Sequence, residues 1–297
     1  MLKGLALTPP VLGRISIGRV VEREGRRLPE KDDEFTITTQ VHARDGWIQH
    51  PLDRALRGEG GGKLRAIPVW LPFSDPDLNL RANYSMFDRR TGRPLCVGNG
   101  QTCRRATAEG VQSLPCPSPE ACTLAEGGAC RPYARLNVRI GEDDELGTFI
   151  FRTTGFNSIR TLGARLHYLH AVSGGLLAAL PLELRLRGKS TSQSMGTPIF
   201  FVDLIIRSGV TLTEALAQAR ELDAARRAGG FCQEDLDRAA REGFALGAFE
   251  ESTDEGPSIV EEFFPEKSAE PRESTPAAAP LSLGEKLSTR AAVLKQA

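Results

Sequence analysis

The sequence predicts an α+β protein. Its centre is a mainly antiparallel β core over residues 11–208, for which an OB-like barrel is the closed form. A cysteine-rich, zinc-binding insert at 95–135, one central helix and a set of C-terminal helices complete it. Three observations predict this. Runs such as FTITTQV at 35–41, RLNVRI at 135–140 and LPLELRLR at 180–187 alternate apolar and polar residues, which turns one face of a strand inward. Five of the six cysteines fall between residues 95 and 135. After residue 209 the apolar spacing becomes helical, behind a Thr211-Leu212-Thr213-Glu214 capping box.

In chain order, residues 11–24 read as a strand, with β-branched Ile15, Ile17 and Val20 and a bulge residue in Gly18. Arg14, Arg19, Arg23, Arg26 and Arg27 make this end basic. The strand at 35–41 follows, then a loop with Trp47 and Pro51, and a short helical turn at 52–56. The glycine run 58–62 lacks the GxxxxGK[ST] order of a phosphate loop, because Lys63 is followed by Leu64; it reads as a surface loop. Residues 64–73 are extended, and Pro68 and Pro72 confine them to a sheet edge. A short strand at 83–87 leads to a turn at 88–92. Residues 135–140 and 147–154 form a hairpin. Ser158 is the expected N-cap of a helix over 159–173 that carries Ile159, Leu162, Leu166 and Leu169, and Gly174-Gly175 ends it. Strands at 180–187 and 197–207 flank a polar loop. Helices over 212–227 and 233–247 form a pair across Gly229-Gly230, the second with Leu236, Ala240 and Phe244 on one stripe. Residues 250–297 read as a disordered acidic linker, ending in a short segment at 281–297 that becomes helical on a partner.

The insert holds Cys96, Cys103, Cys116, Cys122 and Cys130 among glycines and prolines, with almost nothing apolar to bury. Such a segment needs a cross-link. With no signal peptide at the N-terminus, the expected compartment is the cytoplasm, where clustered thiols bind metal more often than they form disulfides. The expected ligands of a structural zinc are Cys103, Cys116, Cys122 and Cys130, with twelve, five and seven residues between them; Cys96 is the alternate. Reduced free cysteines, an iron–sulfur cluster and disulfides are the other readings. Cys232 reads as packing.

Net charge is zero, so bulk charge announces no nucleic-acid partner, and no apolar run reaches transmembrane length. His167 and His170 share a helix face without an HExxH frame, and no GxSxG elbow, GxGxxG loop or paired-carboxylate motif occurs. No enzyme and no small-molecule substrate is expected.

The residues Ala66-Ile67-Pro68-Val69-Trp70-Leu71-Pro72, Asn79-Leu80 and Tyr84, with Gly147-Thr148-Phe149, Thr153 to Ile159, Gly174-Gly175 and Leu180-Pro181-Leu182, carry a resemblance. Together they resemble the recombination directionality factor-like proteins of phages and integrative mobile elements, over roughly residues 13–208. The resemblance implies a protein-binding role: contact with the coiled-coil region of a large serine integrase bound to DNA, favouring excision. A single-stranded DNA-binding protein of OB type is the alternative from another class, with Phe149, Phe151, Arg152, Phe156, Arg160 and Arg165, joined by Tyr168, as stacking and phosphate groups; core phenylalanines are the competing reading. A metal-dependent hydrolase is the third.

Overall fold

The fold is described from a computed structural model over residues 8–23, 26–43, 46–141, 144–190, 198–245 and 256–263. Two sheets share one apolar core. The larger has nine strands: β1 (Val11–Arg23), β2 (Arg26–Ala43), β3 (Gly46–Gln49), β5 (Leu80–Phe87), β6 (Pro94–Gly98), β7 (Thr102–Thr107), β8 (Gly110–Pro115), β9 (Arg131–Val138) and β10 (Thr148–Thr153). Their order is β3-β2-β1-β10-β9-β5-β6-β7-β8. The smaller sheet sets β11 (Leu182–Lys189) between β12 (Ile199–Ile206) and β4 (Ala66–Val69). All pairings are antiparallel except β1 with β10. The nine-stranded order runs from β3 to β8 without closing, so the described residues form no OB-like barrel. The expected strands are present, but a parallel junction in mid-sheet replaces barrel closure.

The alternation in the sequence becomes the core directly. Phe35 and Ile37 of β2, Leu136 and Val138 of β9, and Phe149 and Phe151 of β10 face Ile67, Val69, Leu182 and Leu184 of the smaller sheet, all buried. Pro68 lies on β4, which is an edge strand as the prolines require. Trp70 and Arg139 exchange backbone hydrogen bonds of 3.0 and 2.8 Å, tying the smaller sheet to the larger.

The central helix, α4 (Phe156–Ser173), buries Leu162, Leu166 and Leu169 at helical spacing and ends on Gly174 in the left-handed region. At roughly 2 kcal/mol each, these three leucines fix which face turns inward. The helix begins two residues before the expected N-cap. Gly155 is its N-cap, and the Ser158 hydroxyl accepts from the Val202 amide at 3.1 Å, so tertiary pairing with β12 outcompetes local capping. A second tie is ionic: the buried Asp203 carboxylate accepts from Arg165 at 2.9 Å and from Arg187 at 2.7 Å. Burial opposes the charge on Asp203, but the two guanidiniums hold its carboxyl below the ordinary aspartate value.

Two short helices brace the sheets. In α1 (Pro51–Arg57), fully buried Asp53 accepts from the Ile37 amide at 2.8 Å and from Arg57 at 2.6 Å, and Arg57 donates to the Phe35 carbonyl at 2.7 Å. In α2 (Pro76–Asn79), buried Asn79 closes the preceding turn, accepting from the Phe73 amide at 3.2 Å and donating to the Phe73 and Asp75 carbonyls at 2.7 and 2.9 Å.

The cysteine-rich stretch is not a pendant module. β6, β7 and β8 continue the large sheet as a meander, followed by the one-turn helix α3 (Ser118–Ala121) and a 3-10 segment. The expected capping box starts α5 (Leu212–Ala228), with Thr211 and Glu214 bonding reciprocally. α6 (Gln233–Ala245) follows, and its Leu236, Ala240 and Phe244 pack on Phe73 and Leu78. Within the stretch expected to be a linker, α7 (Gly256–Phe263) buries Ile259 and Phe263 completely against Phe87 and Tyr133. The rest of that expectation, residues 250–255 and 264–297, lies outside the described residues.

Asp203→Asn is expected to lower unfolding stability by about 1–3 kcal/mol near neutral pH. Arg165 and Arg187 are each nearly half exposed, so solvent screens their attraction to Asp203. A carboxyl held below its unfolded value stabilises fully above about pH 4 and loses that contribution as pH falls through the folded value. Denaturant titrations of both proteins should therefore converge in acid.

Candidate functional site

The five clustered cysteines converge from separate elements. Cys96 pairs with Arg105, and Gly98 with Cys103, across β6 and β7, so these four residues share one face. A Cβ on Gly98 would lie 2.8 Å from the Cys116 sulfur and 2.7 Å from the Cys103 Cβ. The glycine thus leaves the space that a sulfur fills. Cys116 follows β8 and is fixed by its amide, which donates to the Gln101 carbonyl at 2.8 Å. Cys122 caps α3, and Cys130 immediately precedes β9. Cys96 and Cys103 are buried; Cys116, Cys122 and Cys130 are half-buried; all six cysteines are free thiols.

The thiols sense one another. Burial, reinforced by Cys96, pushes the Cys103 thiol up to about 11. Burial does the same to Cys130, with Cys96, Cys116, Cys122 and Cys103 all contributing. At neutral pH these two are thiols rather than thiolates. The Cys103 sulfur lies 3.7 Å from the Pro115 carbonyl, to which its S–H donates, and the Arg105 guanidinium reaches the same sulfur at 4.0 Å. As they stand, no three His, Cys, Asp or Glu side chains among the described residues are arranged to hold a metal ion.

The expected nucleic-acid residues are dispersed. Phe149 and Phe151 are core side chains with ring faces inside the protein. Arg152 is buried, in register with Arg135 and, through it, with Arg81 across β10, β9 and β5. Arg165 is engaged by Asp203. Phe156 and Arg160 are on the outer side of α4. There they form an i, i+4 ridge, Phe156-Arg160-Ala164-Tyr168-Val172, whose members are all exposed; Phe156 and Tyr168 are 61% and 70% exposed. The sequence signal for this ridge, large apolar residues on the outward face of an amphipathic helix, is readable once the inward leucines are assigned.

A shallow groove of about 370 Å³ opens on the other face of the large sheet, lined by Arg81, Arg104, Arg135 and Phe244 among others. The Arg81 guanidinium stacks 4.4 Å over the Phe244 ring. α6 is anchored nearby: the Asp237 carboxylate accepts from the Ser74 amide at 3.1 Å and the Asp75 amide at 3.0 Å, and Arg241 pairs with Asp75 at 2.7 Å. The histidines are individually engaged. His50 caps α1 and burial lowers its pKa; His170 Nδ1 is 2.9 Å from the Ser74 carbonyl; exposed His167 faces Asp77 at 3.9 Å. Sequence reasoning missed α7, although Ile259 and Phe263 stand one helical turn apart inside the acidic stretch.

Fold and surface define an α+β class in which a large, mostly antiparallel sheet carries its helices on a separate three-stranded sheet and along its flanks. Residues 12–207 match the family model described as Gp3-like, recombination directionality factor-like. That span is well over half of the chain, and the protein belongs to this family, the one its signature residues resemble. The family is one of recombination accessory factors rather than a known enzyme class. No curated protein and no solved structure matches the chain. Among the described residues no helix is long and apolar enough to cross a membrane.

Phe263 packs edge-on against Phe87 and Tyr133 with ring centroids 4.9 and 5.9 Å away. Phe263→Ala should cost about 3 kcal/mol of α7 docking. Hydrogen exchange should then accelerate at 256–263 while β9 and β10 keep their protection.

Proposed function

We propose that this protein is a recombination directionality factor that engages a serine integrase on its DNA and favours excision of a mobile element. The match of residues 12–207 to the family model carries this reading. Such a factor acts by differential affinity. To move a synaptic equilibrium from 1:99 to 99:1 it must prefer one arrangement by about 5.5 kcal/mol. Binding of that size needs a partner surface with buried aromatic anchors.

The exposed ridge of α4 supplies anchors of this kind. Phe156, Arg160, Ala164, Tyr168 and Val172 form an i, i+4 row, the geometry by which one helix seats in the grooves of another. The partner this suits is helical, and the resemblance implies the integrase's coiled-coil region. Ser158, Leu162, Leu166 and Leu169 fix the helix from behind, so the ridge is presented by a rigid element.

The test is a pull-down with the neighbouring serine integrase, paired with an excision assay on attL and attR substrates. Wild-type protein should bind and stimulate excision; absence of both would remove the proposal. Tyr168→Asp should weaken integrase binding by at least about tenfold, the equivalent of 1.4 kcal/mol, with thermal stability unchanged because the side chain is exposed. Unchanged binding would exclude α4 as the contact.

A further inference from the structure

We infer that the arginine-lined groove on the outer face of the large sheet is a seat for the phosphate backbone of duplex DNA, with Arg81, Arg104 and Arg135 as the contacting cations. The inference goes beyond the integrase reading, since it rests on this face alone and is tested without any integrase.

Strand register builds the cationic face. Residues directly opposite in a ladder point to the same side of a sheet. Arg152 pairs with Arg135, and Arg135 with Arg81, so three arginines form one row across β10, β9 and β5. Their chain neighbours Phe151 and Leu136 are core residues, which turns the row away from the smaller sheet. The same side continues through Ser85, Val97, Arg104 and Ser113, each paired with the next across β5, β6, β7 and β8. From β10 to β7 the strand spacings span about 19 Å. Like charges gathered along one face raise its potential and draw in a polyanion.

The lining has the composition of a phosphate-contact surface. Beside the arginines stand Asn83, Asn99, Thr102 and Ser113, and no carboxylate occurs among the described lining residues. Arginine, hydroxyl and amide side chains are the groups that meet phosphate and sugar oxygens. Stacking over Phe244 holds the planar Arg81 guanidinium in one orientation. α6, which carries Phe244, is pinned by Asp237 to the Ser74 and Asp75 amides, so this wall of the groove is rigid. The same wall decides between duplex and single strand. Single strands are held by aromatic platforms on which bases stack. Phe244 is the aromatic residue among the described lining, and it is only 8% exposed, with Arg81 over its ring and Phe73 packed edge-on at 6.1 Å. It offers a base no platform, whereas a duplex presents its phosphates outward with the bases stacked inside. Such a contact positions the protein on DNA and reads no sequence.

The experiment is fluorescence anisotropy of the full-length protein with labelled duplexes of two unrelated sequences, without integrase, over salt from about 50 to 200 mM. Both duplexes should bind equally, and three phosphate contacts should give log K against log salt a slope of about −2.7. This slope is a measurement on the wild-type protein and needs no variant. Arg104 is exposed, so Arg104→Ala leaves the fold intact. It should weaken binding to both duplexes alike and bring the slope to about −1.8. Arg135→Gln should do the same, with its thermal melt as the check on folding. Arg220→Ala removes equal charge from an exposed position on α5 and should change neither affinity nor slope. No binding at the lowest salt, a slope near zero, tighter binding to a single strand than to the duplex, or a strong preference for one of the two sequences would each overturn the inference. So would equal losses in Arg104→Ala and Arg220→Ala.

Discussion

The parallel contact between β1 and β10 is the constraint on which the architecture depends. β10 pairs with β1 on one side and β9 on the other, and its residues Thr148 to Arg152 are all buried. Parallel strands need a long connection, and here most of the matched region lies between the two. The smaller sheet packs on the apolar face made where β1, β10 and β9 join. The junction is tight: a Cβ on Gly13 would lie 2.5 Å from the Thr38 carbonyl oxygen and 2.7 Å from the Phe149 ring. With no side chain there, β1 can lie between β2 and β10 while Phe149 remains flat against the core. An added methyl would have to move backbone rather than a flexible side chain, so the crowding has no cheap relief.

Seen from that junction, several of the residues that carry the family resemblance are architectural. Pro68 keeps β4 at an edge, Asn79 staples the turn before β5, Thr148 and Phe149 build β10, and Gly174 closes α4. None of them projects chemistry into a cleft. Such residues specify a shape. The same logic accounts for the buried ion pair at Asp203. Arg165 and Arg187 bring α4 and β11 to one carboxylate and so fix the orientation of the outward ridge that α4 presents.

Much of this was legible in the sequence, and the boundary of what was legible is physical. Period-two and helical patterns report which face of an element is buried. They therefore gave β10, α5 and α6 to within two residues at each end, placed β11 two residues early, and found β9 and α4 with starts four and three residues late, and the Thr211–Glu214 capping box named its own helix start. Pattern does not report which strand lies beside which. The β1–β10 pairing and the open nine-stranded order follow from long-range packing, and the barrel expectation failed there. Ser158 was misread as a cap because a hydroxyl that suits a helix start also suits the Val202 amide. The tail helix was missed because acidic composition outweighed Ile259 and Phe263, whose partners Phe87 and Tyr133 are far away in sequence. For the site, the cluster of cysteines was readable, but the depth of each sulfur was not, since depth depends on strand register.

The same register explains why the large sheet needs help at its far end. β6, β7 and β8 extend beyond the shared core, and β8 is the last strand of the order, a position open to pairing with another chain. Apart from Pro94, Cys96 and Cys103, the described residues of that meander bury no apolar side chain. A three-stranded meander without an apolar face is not stable on its own. It holds because β5 pairs with β6 along one side, so its stability is that of the sheet it continues.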